Sequence, residues 1–247
     1  MTQGVRPRTT GGVVLDIEGT TTPVSFVYDV LFPYARAQLR QFLHEHLGNA
    51  ELEEVVSLLR AEHAGDVAAG EPVPAWSDTG GDVLANYLGW LMDRDRKSPG
   101  LKLVQGQIWE RGYEDGTLRG AVFVDVLPAL ERWRTAGLTI AIYSSGSVLA
   151  QRLLFANSTS GDLTRFIDHY FDTAVGPKRS PESYRRIAAA VGQEAGELLF
   201  ISDIKAELDA ARSAGFQTLL CVRPPSAVPA VSSSSVVQTF DEVVLTI

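Results

Sequence analysis

The residues able to do chemistry in this chain stand where short apolar runs end. Val13-Val14-Leu15 passes abruptly into Asp16, and a second acid, Glu18, follows before Gly19-Thr20. A run of that length closed by acids reads as a buried parallel strand that delivers carboxylates to its C-terminal edge, where ligands of open α/β sheets bind. Successive side chains of an extended strand face opposite ways, so the chain must turn after Asp16 if both acids are to reach one reacting group. Gly19 supplies that freedom. One carboxylate can then attack while the other moves protons. Two more apolar runs end alike: Leu138 to Tyr143 enters Ser144-Ser145-Gly146-Ser147, and Leu198 to Ile201 enters Ser202-Asp203, with Glu207 four residues on. Between them lies Gly176-Pro177-Lys178, a turn-rich stretch before the helix start Ser180-Pro181. Taken singly, the serines could cap helices, Lys178 could be a solvated lysine, and Asp203 and Glu207 could simply suit the first turn of a helix. Their conjunction in order at strand ends argues instead for one site, with a nucleophile, hydroxyl and ammonium donors for an anion, and a further acid for a metal.

Such a set has to be held by alternating strands and helices. From Val122 onward the chain supplies them: a helix with Leu127, Leu130 and Trp133 on one face ending at Gly137, the strand to Tyr143, a helix with Leu149, Leu153 and Leu154, a helix from Pro181 to Val191, the strand to Ile201, a helix from Lys205 to Ala214, and the strand Phe216 to Val222. The pattern predicts an α/β, doubly wound, Rossmann-like parallel sheet with helices on both faces. Before it, about a hundred residues carry helical spacing. Tyr34, Leu39, Phe42, Leu43 and Leu47 mark one helix stopped at Gly48, and Leu52, Val55, Val56 and Leu59 a second. Residues 65–81 read as loop, Val83 to Leu91 and Leu101 to Trp109 as helices, and Arg111 to Gly116 as a hinge or tight turn. The expected division is therefore a catalytic core of residues 12–24 and 120–247, with a helical cap of residues 25–119 inserted after the first strand. Pro224 to Ser235 reads as a Pro/Ser-rich loop.

Composition narrows the classes. The 247 residues are 45% hydrophobic and 21% charged, with a net charge of −8, which steers the chain away from nucleic acid and anionic membranes. Any bound phosphate must be held by local donors or a metal. The one cysteine, Cys221, sits in an apolar run and reads as core, so a reducing, cytoplasmic compartment is expected. No stretch reads as a membrane span, and Met1 to Gly11 is too polar for a secretion signal. A monomer is expected.

The motifs Asp16-Ile17-Glu18-Gly19-Thr20, Ser144, Lys178 and Ser202-Asp203 with Glu207 together resemble those of the haloacid dehalogenase-like phosphatases. The second acid being Glu18, with Thr22-Pro23-Val24-Ser25-Phe26-Val27, Ile108-Trp109-Glu110-Arg111-Gly112-Tyr113, Tyr143 to Ser147 and Glu182-Ser183-Tyr184, is similar to the bifunctional enolase-phosphatases of methionine salvage. The resemblance runs from about Val13 to Val222. It implies Mg²⁺ held by the carboxylates of Asp16 and Asp203 and the backbone carbonyl of Glu18, and phosphate contacts from Ser144, Ser145 and Lys178. It further implies Asp16 as the nucleophile that forms an aspartyl-phosphate, Glu18 as the proton carrier, and Glu207 as support for Lys178 or a metal-bound water. The implied substrate is a phosphorylated diketone, 2,3-diketo-5-methylthiopentyl-1-phosphate, enolised and then dephosphorylated to 1,2-dihydroxy-3-keto-5-methylthiopentene. The enolisation base stays open, with Glu18 and the helical insert both in play. Phe26, Tyr28, Trp109 and Tyr113 are aromatic candidates to line the substrate pocket, or else part of the cap's core.

Two rivals stand beside this reading. One is a capped phosphatase of the same superfamily acting on another small phosphate ester. The other is a receiver-like domain whose strand-end aspartate is phosphorylated by a partner. Mg²⁺-dependent turnover of a generic aryl phosphate is expected of either enzyme, and its absence from the purified protein would favour the receiver.

Overall fold

Leu15, Val14 and Val13 have no exposed surface, and that burial on both faces of one strand sets the architecture. The structure, a computed structural model, describes residues 9–77, 80–225 and 235–246. In chain order its regular elements are β1 (Gly12–Leu15), a π-helical turn (Phe26–Leu31), α1 (Phe32–His46), α2 (Ala50–Ala68), α3 (Gly81–Asp93), α4 (Pro99–Glu114), α5 (Val126–Thr135), β2 (Thr139–Tyr143), α6 (Val148–Ala156), β3 (His169–Phe171), α7 (Pro181–Val191), β4 (Leu198–Ser202), α8 (Lys205–Ser213), β5 (Gln217–Cys221) and β6 (Ser235–Val237). The chain divides into two compact units, Met1–Phe26 with Arg119–Ile247, and Val27–Leu118.

The first unit is a six-stranded sheet in the order β3-β2-β1-β4-β5-β6, every pair parallel. Winding outward from β1 first one way and then the other creates a switch point at the carboxyl ends of β1 and β4, the place where such sheets bind ligands. Gly12 to Leu15 pair in register with Thr139 to Ile142 on one side and Leu198 to Ile201 on the other. Beneath the sheet, the rings of Tyr143, Tyr184, Phe200 and Phe216 pack edge to face, with Tyr184 touching the other three at centroid distances of 5.1–5.6 Å. Cys221 is fully buried, and burial pushes its thiol up to about 11.

The second unit is helical, and two stretches in it depart from the sequence expectation. Residues 65–68 continue α2 rather than starting the loop, since Asp66 faces inward to accept hydrogen bonds from Tyr87 and Arg96 and so belongs to a packed helix face. Arg111 to Glu114 likewise continue α4. Gly112 serves close packing there, because a Cβ on it would lie 2.7 Å from the Tyr34 ring, and only Gly116, at φ 77°, makes a turn. β3 has no counterpart in the sequence reading, and the tail, which reads only as a short closing element, supplies the edge strand β6. Most of the Pro224–Ser235 stretch and residues 1–8 lie outside the described residues.

The chain re-enters the core through Gly120, whose N–H and carbonyl bond Asn157 and Thr159, and whose missing Cβ would stand 2.2 Å from the Leu154 carbonyl oxygen. Gly120→Ala is therefore expected to destabilise the fold by about 1–3 kcal/mol through overpacking against backbone that cannot yield. A fall in the urea midpoint at unchanged slope would show it; an unchanged midpoint would mean the segment moves aside freely.

Candidate active site

Asp16 directly follows β1, and the turn after it is built on one acceptor. The Ile17 carbonyl receives the N–H groups of Thr20, Thr21 and Thr22 at 3.1, 2.9 and 2.9 Å, while Gly19 at φ 71° lets the chain reverse. The Asp16 carboxylate is buried inside that turn. Its Oδ1 accepts from the Ile17 N–H at 2.8 Å and from Lys178 Nζ at 2.6 Å, and its Oδ2 accepts from the Ser202 hydroxyl at 2.9 Å. Lys178 Nζ also lies 2.7 Å from Glu207 Oε2, so one ammonium bridges two carboxylates. Its side chain is only 10% exposed, which excludes the plain reading of a solvated lysine. Burial alone would lower its pKa, but the charges of Asp16 and Glu207 outweigh burial and raise it. Burial first, and the Asp16 charge second, raise the pKa of Glu207. Ser202 stands between them, 3.2 Å from Glu207 Oε2, and its single proton serves both carboxylates in turn.

Asp203 follows β4 and precedes α8, rather than standing in the helix's first turn with Glu207. Its carboxylate fills the space that Gly19 leaves open: a Cβ on Gly19 would lie 2.2 Å from Asp203 Oδ2. Its Oδ1 is buried with no hydrogen-bond partner, and burial, then the charge of Asp16, push its pKa up to about 7. Among the described residues no three His, Cys, Asp or Glu side chains form a metal cluster. The donor chemistry of the carboxylates of Asp16 and Asp203, with a main-chain carbonyl as a further oxygen, nevertheless suits Mg²⁺, which keeps several waters and takes one or two carboxylates. A buried carboxylate oxygen without a donor, as Asp203 Oδ1 is, is the kind of group such a cation satisfies.

Ser144 follows β2, with its N–H donating to the Phe171 carbonyl and its Oγ accepting from the Gly146 N–H at 3.2 Å. The capping role falls to Ser147, which accepts from the Ala150 N–H at the start of α6. The structure thus brings Asp16, Lys178, Ser202 and Glu207 into direct contact and sets Asp203 against the same turn; Glu18 and Ser145 are half-buried on the turns at the ends of β1 and β2. Of the aromatic candidates, Trp109 is buried and donates its Nε1–H to the Leu31 carbonyl, Tyr113 and Phe26 are buried, and Tyr28 is half exposed.

One group behind the turn escaped the sequence reading. Arg223 donates from Nε and Nη2 to the Thr20 carbonyl at 2.9 and 2.8 Å and from Nη1 to Asp125 Oδ2 at 2.6 Å, while the Phe123 N–H donates to the Thr21 carbonyl. Rings of Phe123 and Phe240 stack on its guanidinium. An arginine just past an apolar strand carries no local signal; its partner is remote in sequence.

A parallel sheet with a strand-end carboxylate at its switch point, tied to a lysine and a second acid, is the arrangement of a haloacid dehalogenase-like hydrolase, and that family matches residues 10–215. Within it the chain belongs to the enolase-phosphatase E1 family. It is 50% identical to Enolase-phosphatase E1 of Synechococcus elongatus over 93% of this chain and 96% of that protein. It is 48% identical to Enolase-phosphatase E1 of Sorangium cellulosum over 94% of this chain and 96% of that one. The crystal structure of the Unknown transcript 4 protein of Saccharomyces cerevisiae superposes with a TM-score of 0.79 at 32% identity, covering 95% of this chain and 100% of that chain. Membership of a hydrolase family leaves the receiver-like reading without support.

Arg223 and Asp125 have side chains 7% and 6% exposed. Arg223→Met should strand Asp125 as an unpaired buried charge and cost about 3–5 kcal/mol of stability. Chemical denaturation at neutral pH measures it, and a loss below about 1 kcal/mol would mean water replaces the arginine.

Proposed function

We propose that this protein is a Mg²⁺-dependent enolase-phosphatase that converts 2,3-diketo-5-methylthiopentyl-1-phosphate through a phosphorylated enol to 1,2-dihydroxy-3-keto-5-methylthiopentene and phosphate, in L-methionine salvage. The observation that carries the reading is the buried Lys178 bridging Asp16 and Glu207 at the switch point of the sheet. Asp16 is the nucleophile: its Oδ atoms are held by the Ile17 N–H, Lys178 and Ser202, so it approaches phosphorus already oriented. The bond between phosphorus and the ester oxygen breaks as the aspartyl-phosphate forms, with Glu18 giving a proton to that leaving oxygen; Glu18 then takes a proton from water, whose oxygen bonds phosphorus as the Asp16–phosphorus bond breaks, releasing phosphate and restoring the Asp16 carboxylate. Lys178, with the Ser144 and Ser145 groups, meets the phosphoryl oxygens, and Glu207 holds Lys178 in line. Asp16, Asp203 and the Glu18 carbonyl would hold Mg²⁺, which when bound supplies positive charge to the phosphate and polarises a carbonyl for enolisation.

We assign residues 12–24 and 120–247 the part of the catalytic core and residues 25–119 that of a helical cap inserted after the first strand. We place the protein in the cytoplasm as a monomer; the buried, lone Cys221 is in keeping with a reducing compartment. No helix among the described residues is long and apolar enough to cross a membrane.

The test separates the two half-reactions. Enolisation needs a base and a polarised carbonyl but no nucleophile, so Asp16→Asn that has been shown to retain Mg²⁺ should convert the diketone phosphate into an enol phosphate that accumulates, with phosphate release abolished. Enol absorbance and released phosphate are followed together. Substantial phosphate release by this variant would remove Asp16 from the role of nucleophile. Absence of enol, with product still formed by the wild type, would point to a plain phosphatase fed by spontaneous enolisation.

A further inference from the structure

Lys178 sits on a stretch without regular secondary structure between β3 and α7, yet its ammonium is held 2.6 and 2.7 Å from two carboxylates. A long flexible side chain on an irregular loop does not keep such a position unless the backbone beneath it is fixed. Three consecutive main-chain carbonyls of this loop each accept a side-chain hydroxyl. Tyr143 donates to Gly176 at 2.9 Å, Ser183 to Pro177 at 2.8 Å and Tyr184 to Lys178 itself at 2.7 Å. Lys178 lies in a turn closed by the Ser180 N–H on the Pro177 carbonyl at 2.9 Å, and holding three successive carbonyls there fixes the peptide planes on either side of residues 177 and 178 and, with them, the direction in which the Lys178 side chain leaves the backbone.

The donors are themselves immobile. Tyr143 ends β2 and Tyr184 lies in the first turn of α7, both without exposed surface, and their rings pack edge to face at 5.5 Å in the sheet's aromatic cluster. Their hydroxyls therefore have no water to turn to. Gly176, at φ 137°, presses the loop onto α7 so closely that a Cβ there would lie 2.3 Å from Ser183 Oγ. The Tyr143 ring also lies under the ammonium, 5.8 Å from Nζ to centroid.

We propose that Tyr143, Ser183 and Tyr184 are positioning residues for Lys178: a row of three hydroxyls, anchored in the hydrophobic core, that aims the ammonium at the transferring phosphoryl group. Sequence reading sees Tyr184 only as part of a family motif and Tyr143 only as the end of a strand. The inference rests on the reading of Lys178 as a phosphate contact, and the experiment keeps the two apart.

Tyr184→Phe keeps the ring and removes the hydroxyl. It is expected to lower kcat/KM for phosphate release by roughly tenfold to a hundredfold, the scale of a small misplacement of a catalytic group. The same change made in a Lys178→Ala background should cost less than about twofold, since nothing remains to be aimed. Binding of inorganic phosphate in the presence of Mg²⁺, titrated in all four proteins, gives the same cycle without needing turnover. A purely structural role for the hydroxyl would weaken both backgrounds equally. Should Tyr184→Phe fold poorly, Ser183→Ala takes its place in the cycle. Equal losses with and without Lys178, or no loss in either, would overturn the inference. If Lys178→Ala itself keeps more than a tenth of the activity, the reading of Lys178 as a phosphate contact fails and the inference falls with it.

Discussion

The site depends on a single buried ammonium shared between two carboxylates. Taking Lys178, Asp16 and Glu207 out of water is costly, and their mutual attraction repays it only while the geometry holds. That makes the arrangement depend on one group: displacing the ammonium would leave two buried carboxylates without a counter-charge at once. It is also short of positive charge. Asp203 sets one carboxylate oxygen, Oδ2, against the same turn and has nothing donating to the other, Oδ1, and a phosphate dianion would add to the excess. That deficit is the ground for proposing a hard cation beside the lysine, and with local donors of this kind the chain's overall net charge of −8 is no obstacle to handling an anion.

The turn that carries Asp16 is gripped from behind as well. Arg223 holds the Thr20 carbonyl and the Phe123 N–H holds that of Thr21, while Asp125 accepts from both Arg223 and the Phe240 N–H. Front and back thus use the same device, a cation committed to fixed oxygen acceptors. The rear cation differs in being a guanidinium, whose planar fork can serve a carbonyl and a carboxylate at once.

Much of this was legible because the chemistry sits at strand ends. β1, β2, β4 and β5 announce themselves as apolar runs, and Asp16, Ser144 and Asp203 follow three of them directly. β3 and β6 escaped because each is three residues at the sheet's flank, too short for a period to register; α2 and α4 ran past their expected ends because inward-facing Asp66 and close-packed Gly112 look, in sequence, like loop formers. Lys178 was legible as a residue, whereas its support was not. Hydroxyls from Tyr143, Ser183 and Tyr184 meet its loop only once β2 and α7 are packed, and the Arg223–Asp125 pair joins residues far apart in the chain. Contacts of that kind leave no trace in local periodicity.

The register of β1 bears on how the chain comes to be folded at all. This strand lies mid-sheet, flanked by β2 and β4, so during synthesis it waits for residues 139–142 to supply one of these partners and for residues 198–201 to supply the other. During that wait its wholly apolar surface must be kept from other chains. The helical unit Val27–Leu118 is continuous in sequence, and its main pairings, α1 with α3, α1 with α4 and α2 with α4, close shorter loops than β1 has to close with β2 or β4. Collapsed early, it would draw Phe26 and Arg119 toward each other and shorten the loop that pairing β1 with β2 has to close. On this account the helical unit acts as an entropic tether for the sheet.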